Sequence, residues 1–289
     1  MSPPHQAGLP RLQSFEFNEM PKIPAAIRES ILETLSDVLV KEHYYQPVYS
    51  VLEELSRTMD SDILDQCSGS GGCIPDLVRF WPQSNPARIY LSDLNPQIEI
   101  FEQLRQQAPE RIDYVPYPVD ATRFDRLMQR WPEFFPQHPM PRIRTIFTAF
   151  HHFPPPVAQQ VLQDAYRHRQ VLVLAEPFDR DDWKSFLGFS WHGAWAMPGA
   201  LWNSPHKRWH KRLLTLLLII PMAAAWDDLI SFLRIYRKKD FDQMIALIGE
   251  IRDYRFTVSV HPVSNGAKAL MVVGVPEQGN TLQGPRSGK

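Results

Sequence analysis

The ten residues ILDQCSGSGG, at positions 63–72, decide how we interpret the fold of this chain. The apolar run that opens the stretch predicts a buried strand, and only serines and glycines follow Cys67. In parallel α/β sheets the turn after the first strand is the usual place for a ligand. Gly69 and Gly71 would let the backbone approach a ligand where a side chain would collide. A tight packing turn remains the alternative at this point.

Short apolar runs of the same kind recur along the chain, separated by segments long enough for a helix. They cover residues 62–65, 88–92, 112–119, 143–147 and 171–175. Strands that alternate with helices predict a doubly wound, mostly parallel sheet covered on both faces. Two β-rich runs, 255–261 and 268–275, flank Ser264-Asn265-Gly266, and Asn-Gly favours a hairpin because both residues tolerate positive φ. The expected fold class is therefore α/β, with a seven-stranded sheet that ends in an antiparallel hairpin.

The remaining segments suggest how the chain is organised around this sheet. Residues 1–57 are predicted to form an irregular lead-in and a helical cap, because apolar residues after position 25 recur at helical spacing. Residues 58–276 are expected to form the main domain, and residues 277–289 are interpreted as a disordered tail. Within the domain, residues 178–226 hold six of the eight tryptophans and interrupt the alternation, which predicts a lid inserted over the sheet edge.

Charge and cysteine content exclude several kinds of partner. The 31 basic and 32 acidic side chains give a net charge of −1, so no overall field attracts nucleic acid. Cys67 and Cys73 lack the further cysteines or histidines of a zinc site, so we expect free thiols and no metal. The first residues lack the uninterrupted apolar core of a secretory signal, and the cytoplasm is the expected location. The sequence does not indicate an oligomeric state.

The apolar run LLTLLLIIPMAAAW, residues 213–226, is shorter than the roughly 20 residues that a membrane-spanning helix needs, and it contains Pro221. We therefore expect a buried helix. The preceding HKRWHKR, residues 206–212, keeps an interfacial membrane contact through residues 206–226 open as an alternative.

Acidic residues at the predicted strand ends bear on the choice of cofactor. Asp93 follows Gly71 by 22 residues, where a carboxylate can accept hydrogen bonds from a ribose diol; capping of the next helix is the alternative. Ile74 occupies the third glycine position of a dinucleotide motif, which disfavours an NAD(P)-dependent oxidoreductase without excluding it. S-adenosylmethionine has no phosphate, and Asp65, Asp93 and Asp120 would supply acidic groups at the ends of three successive strands.

These features resemble the class I S-adenosylmethionine-dependent methyltransferase family. Its first motif matches DQCSGSG, residues 65–71, except that Cys67 stands where a glycine is most common. The fourth-strand motif matches IFTAFHHF, residues 146–153, and the C-terminal hairpin matches the reversed last strand of the family. The resemblance implies S-adenosylmethionine as cofactor, with the methionine part against the glycine turn, the ribose at Asp93 and the adenine near Leu94 and Asp120. The implied cofactor-binding residues are Asp65, Cys67, Ser68, Gly69, Gly71, Asp93, Leu94, Asp120, Ala121 and Thr148.

The same resemblance implies methyl transfer, and the tryptophan-rich lid together with the lack of a basic surface favours a small, hydrophobic acceptor. Such a transfer needs alignment of the nucleophile and exclusion of water, and a hydroxyl or amine acceptor is helped by a base. His151, His152 and Glu176, at the ends of the fourth and fifth strands, are the catalytic candidates. For each, a structural role such as stacking on the cofactor or capping a helix is the alternative.

Acceptor contacts are expected from the lid and from WDDLISFLRIY, residues 226–236, which we interpret as a helix that begins at Trp226. The candidates are Trp191, Trp195, Trp226, Asp227, Arg234 and Tyr236, with Ser231 in the same stretch. Core filling by the tryptophans and a structural ion pair of Arg234 are the alternatives. A methyltransferase-like binding protein without turnover, held at a membrane surface, remains a further hypothesis.

Overall fold

A computed structural model describes residues 11–184, 186–188, 190–191, 209–263 and 267–277. Seven strands form one sheet in the order β3-β2-β1-β4-β5-β7-β6, and β7 alone runs in the direction opposite to the other six. The strands are β1 (Ile63–Gln66), β2 (Ile89–Ser92), β3 (Ile112–Tyr114), β4 (Ile143–Phe147), β5 (Val171–Glu176), β6 (Tyr254–Pro262) and β7 (Lys268–Pro276). The predicted fold class is confirmed, and the predicted turn at 264–266 and the tail from 278 lie outside the described residues.

Helices flank the sheet on both faces. They are α1 (Ala25–Lys41), α2 (Gln46–Met59), α3 (Ile74–Phe80), α4 (Ile98–Gln107), α5 (Phe124–Phe134), α6 (Pro155–Arg167), α7 (Trp209–Leu216), α8 (Ile219–Arg234) and α9 (Lys238–Ala246). Along β5, Val171, Val173 and Ala175 join one core cluster, whereas Leu172 and Leu174 join another. This division follows from the alternation of side chains along a strand, and it explains why a strand covered on both faces is apolar throughout.

Two predicted boundaries are wrong. The third strand was expected over residues 112–119 but ends at Tyr114, because Pro116 and Pro118 have no amide hydrogen to continue the ladder. The helix expected to begin at Trp226 begins at Ile219 instead, and Pro221 is accommodated in its first turn, where an amide hydrogen has no partner within the helix.

The expectation of one buried helix over residues 213–226 is also wrong. The segment divides between α7 and α8, with Leu218 between them in the left-handed region at a φ of 60°. Several of its leucines are exposed. No helix in the described part of the chain is both long and apolar enough to cross a membrane.

The predicted lead-in contains an ordered portion that crosses the carboxyl ends of β4 and β5. Residues 11–20, named here the N-terminal strap, include one turn of 3-10 helix at Phe17–Glu19. The strap is attached to α8 by a backbone hydrogen bond from Leu12 to Leu233 O of 3.2 Å. It is also attached to the segment after β4, because Arg11 donates to the carbonyl oxygens of His151 and Phe153 at 2.8 and 3.0 Å.

Candidate cofactor and acceptor site

The turn after β1 is built from residues in left-handed conformations. Cys67, Gly69, Gly71 and Gly72 have φ angles of 59, 52, 90 and 42°. A Cβ on Gly71 would lie 2.3 Å from Leu104 Cδ1, whereas a Cβ at Gly69 or Gly72 would meet nothing within 4 Å. A side chain at Gly71 would therefore displace Leu104 of α4, while Gly69 and Gly72 border open space. The φ of Cys67 explains why a glycine suits this position better, since a Cβ is disfavoured there.

Asp65 lies beneath this turn and holds it in place. Its Oδ1 accepts a hydrogen bond of 2.6 Å from Thr145 Oγ1, and its Oδ2 accepts one of 2.7 Å from Ser68 Oγ. The side chain is buried, and burial raises the pKa of Asp65 to about 7. The bonds from the Thr145 and Ser68 hydroxyls lower the pKa of Asp65, but burial outweighs them.

Asp93 joins the β1 turn to the end of β2. Its Oδ2 accepts from the Gly69 amide at 2.9 Å, and its Oδ1 accepts from the Asn95 amide at 2.8 Å. Leu94, the next residue, is exposed. Because each carboxylate oxygen has two lone pairs, both oxygens of Asp93 can accept a further hydrogen bond from a ligand.

The predicted adenine-side residues follow β3. Asp120 is exposed, and its Oδ1 accepts both bonds from Thr122, from the amide at 2.9 Å and from the hydroxyl at 2.7 Å. Ala121 is buried, and its carbonyl accepts a 3.0 Å bond from Arg144, which also pairs with Asp164 at 2.6 Å. Arg144 therefore ties this loop to β4 and α6.

Thr148, predicted at the cofactor site, closes β4 in a left-handed conformation. Its hydroxyl is 2.7 Å from the Tyr45 hydroxyl at the start of α2, and its amide donates to Ala175 O at 2.8 Å. The cap formed by α1 and α2 therefore reaches the carboxyl edge of the sheet through Tyr45, a contact that the sequence did not predict.

His151 and Glu176 form a buried pair. The Glu176 carboxylate accepts from the His151 amide at 2.9 Å and contacts His151 Nδ1 at 2.7 Å. A neutral His151 held in this way carries its proton on Nδ1. Its Nε2 is buried without a hydrogen-bond partner among the described residues, and Glu16 Oε1 lies 4.0 Å away.

His152 is engaged by the strap instead. Its Nδ1 is 2.6 Å from Glu19 Oε1, and Arg234 donates to Glu19 Oε2 at 2.8 Å. Burial raises the pKa of Glu19, but the bonds from His152 and Arg234 outweigh burial and lower it to about 2. Burial lowers the pKa of His152, but Glu19 and Glu16 outweigh burial and raise it. This geometry makes His152 an ion-pair partner of the strap.

The residues proposed to contact an acceptor bind the strap as well. Asp227 accepts from the amides of Phe17 and Asn18 at 2.6 and 2.9 Å, at the start of the 3-10 helix. Trp226 donates to Phe15 O at 3.1 Å. Burial raises the pKa of Asp227 to about 6, although both amide bonds lower it. These contacts place the strap where sequence reasoning placed the acceptor.

Arg234 and Tyr236 complete the attachment of the strap. Arg234 donates to Glu16 Oε1 at 3.0 Å and to Ser14 O, and Ser231 donates to the same Glu16 oxygen at 2.9 Å. The guanidinium of Arg11 lies 4.2 Å from the centre of the Tyr236 ring. Arg234 therefore forms an ion pair with an acidic residue, which was the structural alternative to an acceptor contact.

Glu16, His151 and His152 bring potential metal-ligating atoms within 4.8 Å of one another. However, Arg234 Nη1 lies 3.0 Å from both Glu16 Oε1 and His152 Nδ1. A fixed positive charge among these atoms opposes binding of a second cation.

The lid candidates are only partly described. Trp191 is exposed, and Trp195 lies outside the described residues.

A surface pocket between α2 and α3 contains none of the predicted site residues. It is lined by His43, Gln46, Tyr49, Asp76, Arg79 and Phe80. Sequence reasoning missed Arg11, Glu16 and Glu19, because nothing in the local pattern of residues 11–20 indicates a partner more than 130 positions away.

Comparison with known proteins gives fold-level likenesses only. No protein-family model matches the chain, and no curated protein sequence does. Three solved structures illustrate the likenesses found. An O-methyltransferase family protein from Burkholderia thailandensis has a TM-score of 0.44 and 13% identity over 84% of this chain, which spans 59% of that protein. Magnesium protoporphyrin IX methyltransferase from Synechocystis, with bound S-adenosylmethionine, has a TM-score of 0.41 and 10% identity, covering 81% of this chain and 80% of that one.

The third structure is an O-methyltransferase from neocarzinostatin biosynthesis in complex with S-adenosylmethionine and a naphthoic acid. It has a TM-score of 0.41 and 10% identity, covering 75% of this chain and 49% of that one. At these scores the likenesses do not carry over any residue role, so the roles proposed below follow from the geometry of this chain.

Proposed function

We propose that this protein transfers the methyl group of S-adenosylmethionine to a small apolar acceptor that bears a hydroxyl or an amine. The observation that carries the proposal is the combination of two features at one edge of the sheet. The first is an open glycine turn bonded to Asp93. The second is a buried His151 that is oriented by Glu176 and has no partner at Nε2 among the described residues.

The residues at the edge fit a nucleoside without a pyrophosphate. Gly69 and Gly72 border open space, and Asp93 can accept from two ribose hydroxyls. A pyrophosphate would need free amides at the start of α3. There, Pro75 has no amide hydrogen and the Ile74 amide donates to Gly71 O at 2.8 Å. This supports S-adenosylmethionine over a nicotinamide dinucleotide, and the former would supply a methyl group made electrophilic by its sulfonium.

The chain's own residues would orient and deprotonate the acceptor. Nε2 of His151 would take the proton of an acceptor hydroxyl, while Glu176 fixes the ring and stabilises the charge that develops on it. This nitrogen is buried, with Glu16 Oε1 4.0 Å away, so water is kept away from it. Because His151 is only 1% exposed, we expect the acceptor to reach it by displacing part of the strap.

The test is transfer of labelled methyl from S-adenosylmethionine to a panel of small phenols. His151→Gln should lower turnover by about 10²- to 10⁴-fold, the range expected for loss of a general base. Binding of S-adenosylmethionine should be unchanged. His43→Gln is the matched control, because His43 is largely exposed and lies outside the site.

Equal turnover by the His151 variant and the wild type would remove His151 from catalysis. Binding of S-adenosylmethionine without transfer to any member of the panel would favour the alternative of a binding protein without turnover.

A further inference from the structure

The carboxylate of Glu16 lies within the site proposed for the acceptor. Glu16 belongs to the strap and is buried. Its Oε1 accepts hydrogen bonds from two side chains of α8, from Arg234 Nη1 at 3.0 Å and from Ser231 Oγ at 2.9 Å. The same oxygen lies 4.0 Å from His151 Nε2, the nitrogen to which we assign proton removal. A carboxylate therefore already occupies the space beside the proposed base.

The guanidinium of Arg234 is bonded mainly to the strap. Its Nη2 donates to Glu19 Oε2 at 2.8 Å and to Ser14 O, in addition to the bond from Nη1 to Glu16. Its Nε is buried without a hydrogen-bond partner among the described residues. Displacement of the strap, which access to His151 requires, would remove both carboxylates that pair with Arg234. An acceptor in the place of the strap would cover Arg234 again, and a buried guanidinium without a carboxylate is costly.

A carboxylate on the acceptor would satisfy the donors that Glu16 satisfies now. A guanidinium binds carboxylates through directed, charge-assisted hydrogen bonds, and a serine hydroxyl can donate to the same oxygen. Asp227 contributes negative charge close to Arg234, which favours a ligand with one negative charge over a phosphate ester with two. A hydroxyl bonded to His151 Nε2 at about 3 Å would lie within about 7 Å of the bound carboxylate oxygen, so both groups can belong to one small molecule.

We infer that the methyl acceptor is a hydroxy-carboxylic acid whose carboxylate binds to Arg234 and Ser231, named here the carboxylate subsite, at the position of Glu16. Glu16 is then a competing ligand carried by the chain itself. The inference rests on the proposed function, because His151 places the hydroxyl of the acceptor. In the transfer, the acceptor oxygen bonds to the methyl carbon as the carbon–sulfur bond breaks, the hydroxyl proton goes to Nε2 and S-adenosylhomocysteine leaves.

The experiment is calorimetric titration of the full chain with 2-hydroxybenzoate and with its neutral isostere 2-hydroxybenzamide. S-adenosylhomocysteine is present, so that no methyl transfer occurs. We expect 2-hydroxybenzoate to bind about tenfold or more tightly than 2-hydroxybenzamide, because hydrogen bonds to a charged group are stronger than those to a neutral one. Its binding should also raise hydrogen–deuterium exchange in residues 14–19, because the strap is displaced.

The two partners of the Glu16–Arg234 ion pair should affect binding of 2-hydroxybenzoate in opposite directions. Glu16→Gln should tighten binding by about tenfold, because the competing carboxylate is removed. Arg234→Gln should weaken binding by about tenfold or more, because the main donor to the ligand is lost. Ser231→Ala leaves the ion pair in place and should weaken binding by about threefold or more. The matched controls, Glu133→Gln in α5 and Ser50→Ala in α2, are at exposed positions and should bind like the wild type.

Equal affinity for 2-hydroxybenzoate and 2-hydroxybenzamide would overturn the inference, as would unchanged affinity for 2-hydroxybenzoate in Ser231→Ala, which tests it even if Arg234→Gln does not fold. Weaker binding in both Glu16→Gln and Arg234→Gln would show that the ion pair only supports the fold, and would also overturn it. The expected binding pattern without transfer of labelled methyl from S-adenosylmethionine to 2-hydroxybenzoate would support the carboxylate subsite and contradict the proposed function.

Discussion

Replacement of Asp65 by Asn should remove a loss of stability that the protein suffers as the pH rises. The Asp65 carboxyl is buried, and burial raises its pKa from 3.8 to about 7. Between these two values the folded protein holds a proton that the unfolded chain releases. The free energy of unfolding therefore falls as the pH rises through this window. The loss of stability reaches its full size above about pH 7.

The magnitude follows from the size of the shift. About three pKa units at 1.36 kcal/mol each give an upper bound of about 4 kcal/mol, and relaxation around the charge should leave about 2–3 kcal/mol. Asn keeps the shape and cannot ionise. The hydroxyls of Ser68 and Thr145 can each donate or accept, so one amide oxygen and one amide nitrogen can replace the carboxylate at a cost of up to about 1 kcal/mol.

The assay is urea unfolding of the wild type and Asp65→Asn at about pH 5 and about pH 8. At the higher pH the free energy of unfolding of the variant should exceed that of the wild type by about 1–2 kcal/mol. At the lower pH this difference should be absent or reversed. Glu133→Gln, at an exposed position of α5, should show no such dependence. A variant that is destabilised most at high pH would refute the reasoning, because it would mean that the fold favours the ionised carboxylate.

Three further changes test the contacts around the site. Arg144→Leu leaves Asp164 without its buried partner and should lower the free energy of unfolding by about 3–5 kcal/mol in urea titration; an unchanged midpoint would contradict this. Asp227→Ala should raise hydrogen–deuterium exchange in the strap selectively, and exchange equal to wild type would show that the strap is held by other contacts. Gly69→Ala should destabilise the fold by about 1–2 kcal/mol, and Gly71→Ala should destabilise it more. The reverse order of stability in thermal melts would contradict the packing described for the turn.

Local periodicity predicted the sheet because each buried strand is a short apolar run. The same reasoning failed at α8, since Pro221 resembles an interruption but is tolerated in the first turn of a helix. Periodicity also does not show whether the rest of the protein covers an apolar segment. Residues 213–226 were therefore expected to be buried, although several of their leucines are exposed.

The site was predictable only where its residues share one edge of the sheet. Asp93 follows β2 and His151 follows β4, and both strands were predicted from their apolar runs. The partners of Asp227 and Arg234, however, come from the strap more than 200 positions earlier in the chain. Acceptor contacts were predicted for both residues, and in the structure they bind Glu16 and backbone amides of the same chain, which no local pattern could show.

The proposed function requires the edge formed by the β1 turn and Asp93 to bind S-adenosylmethionine. Isothermal titration calorimetry with S-adenosylmethionine and with NAD measures this binding. We predict binding of S-adenosylmethionine but not of NAD, and a loss of about 1.5–3 kcal/mol in Asp93→Ala, as expected for hydrogen bonds to a charged group. Binding of NAD alone, or an Asp93 variant with unchanged affinity for S-adenosylmethionine, would contradict the account.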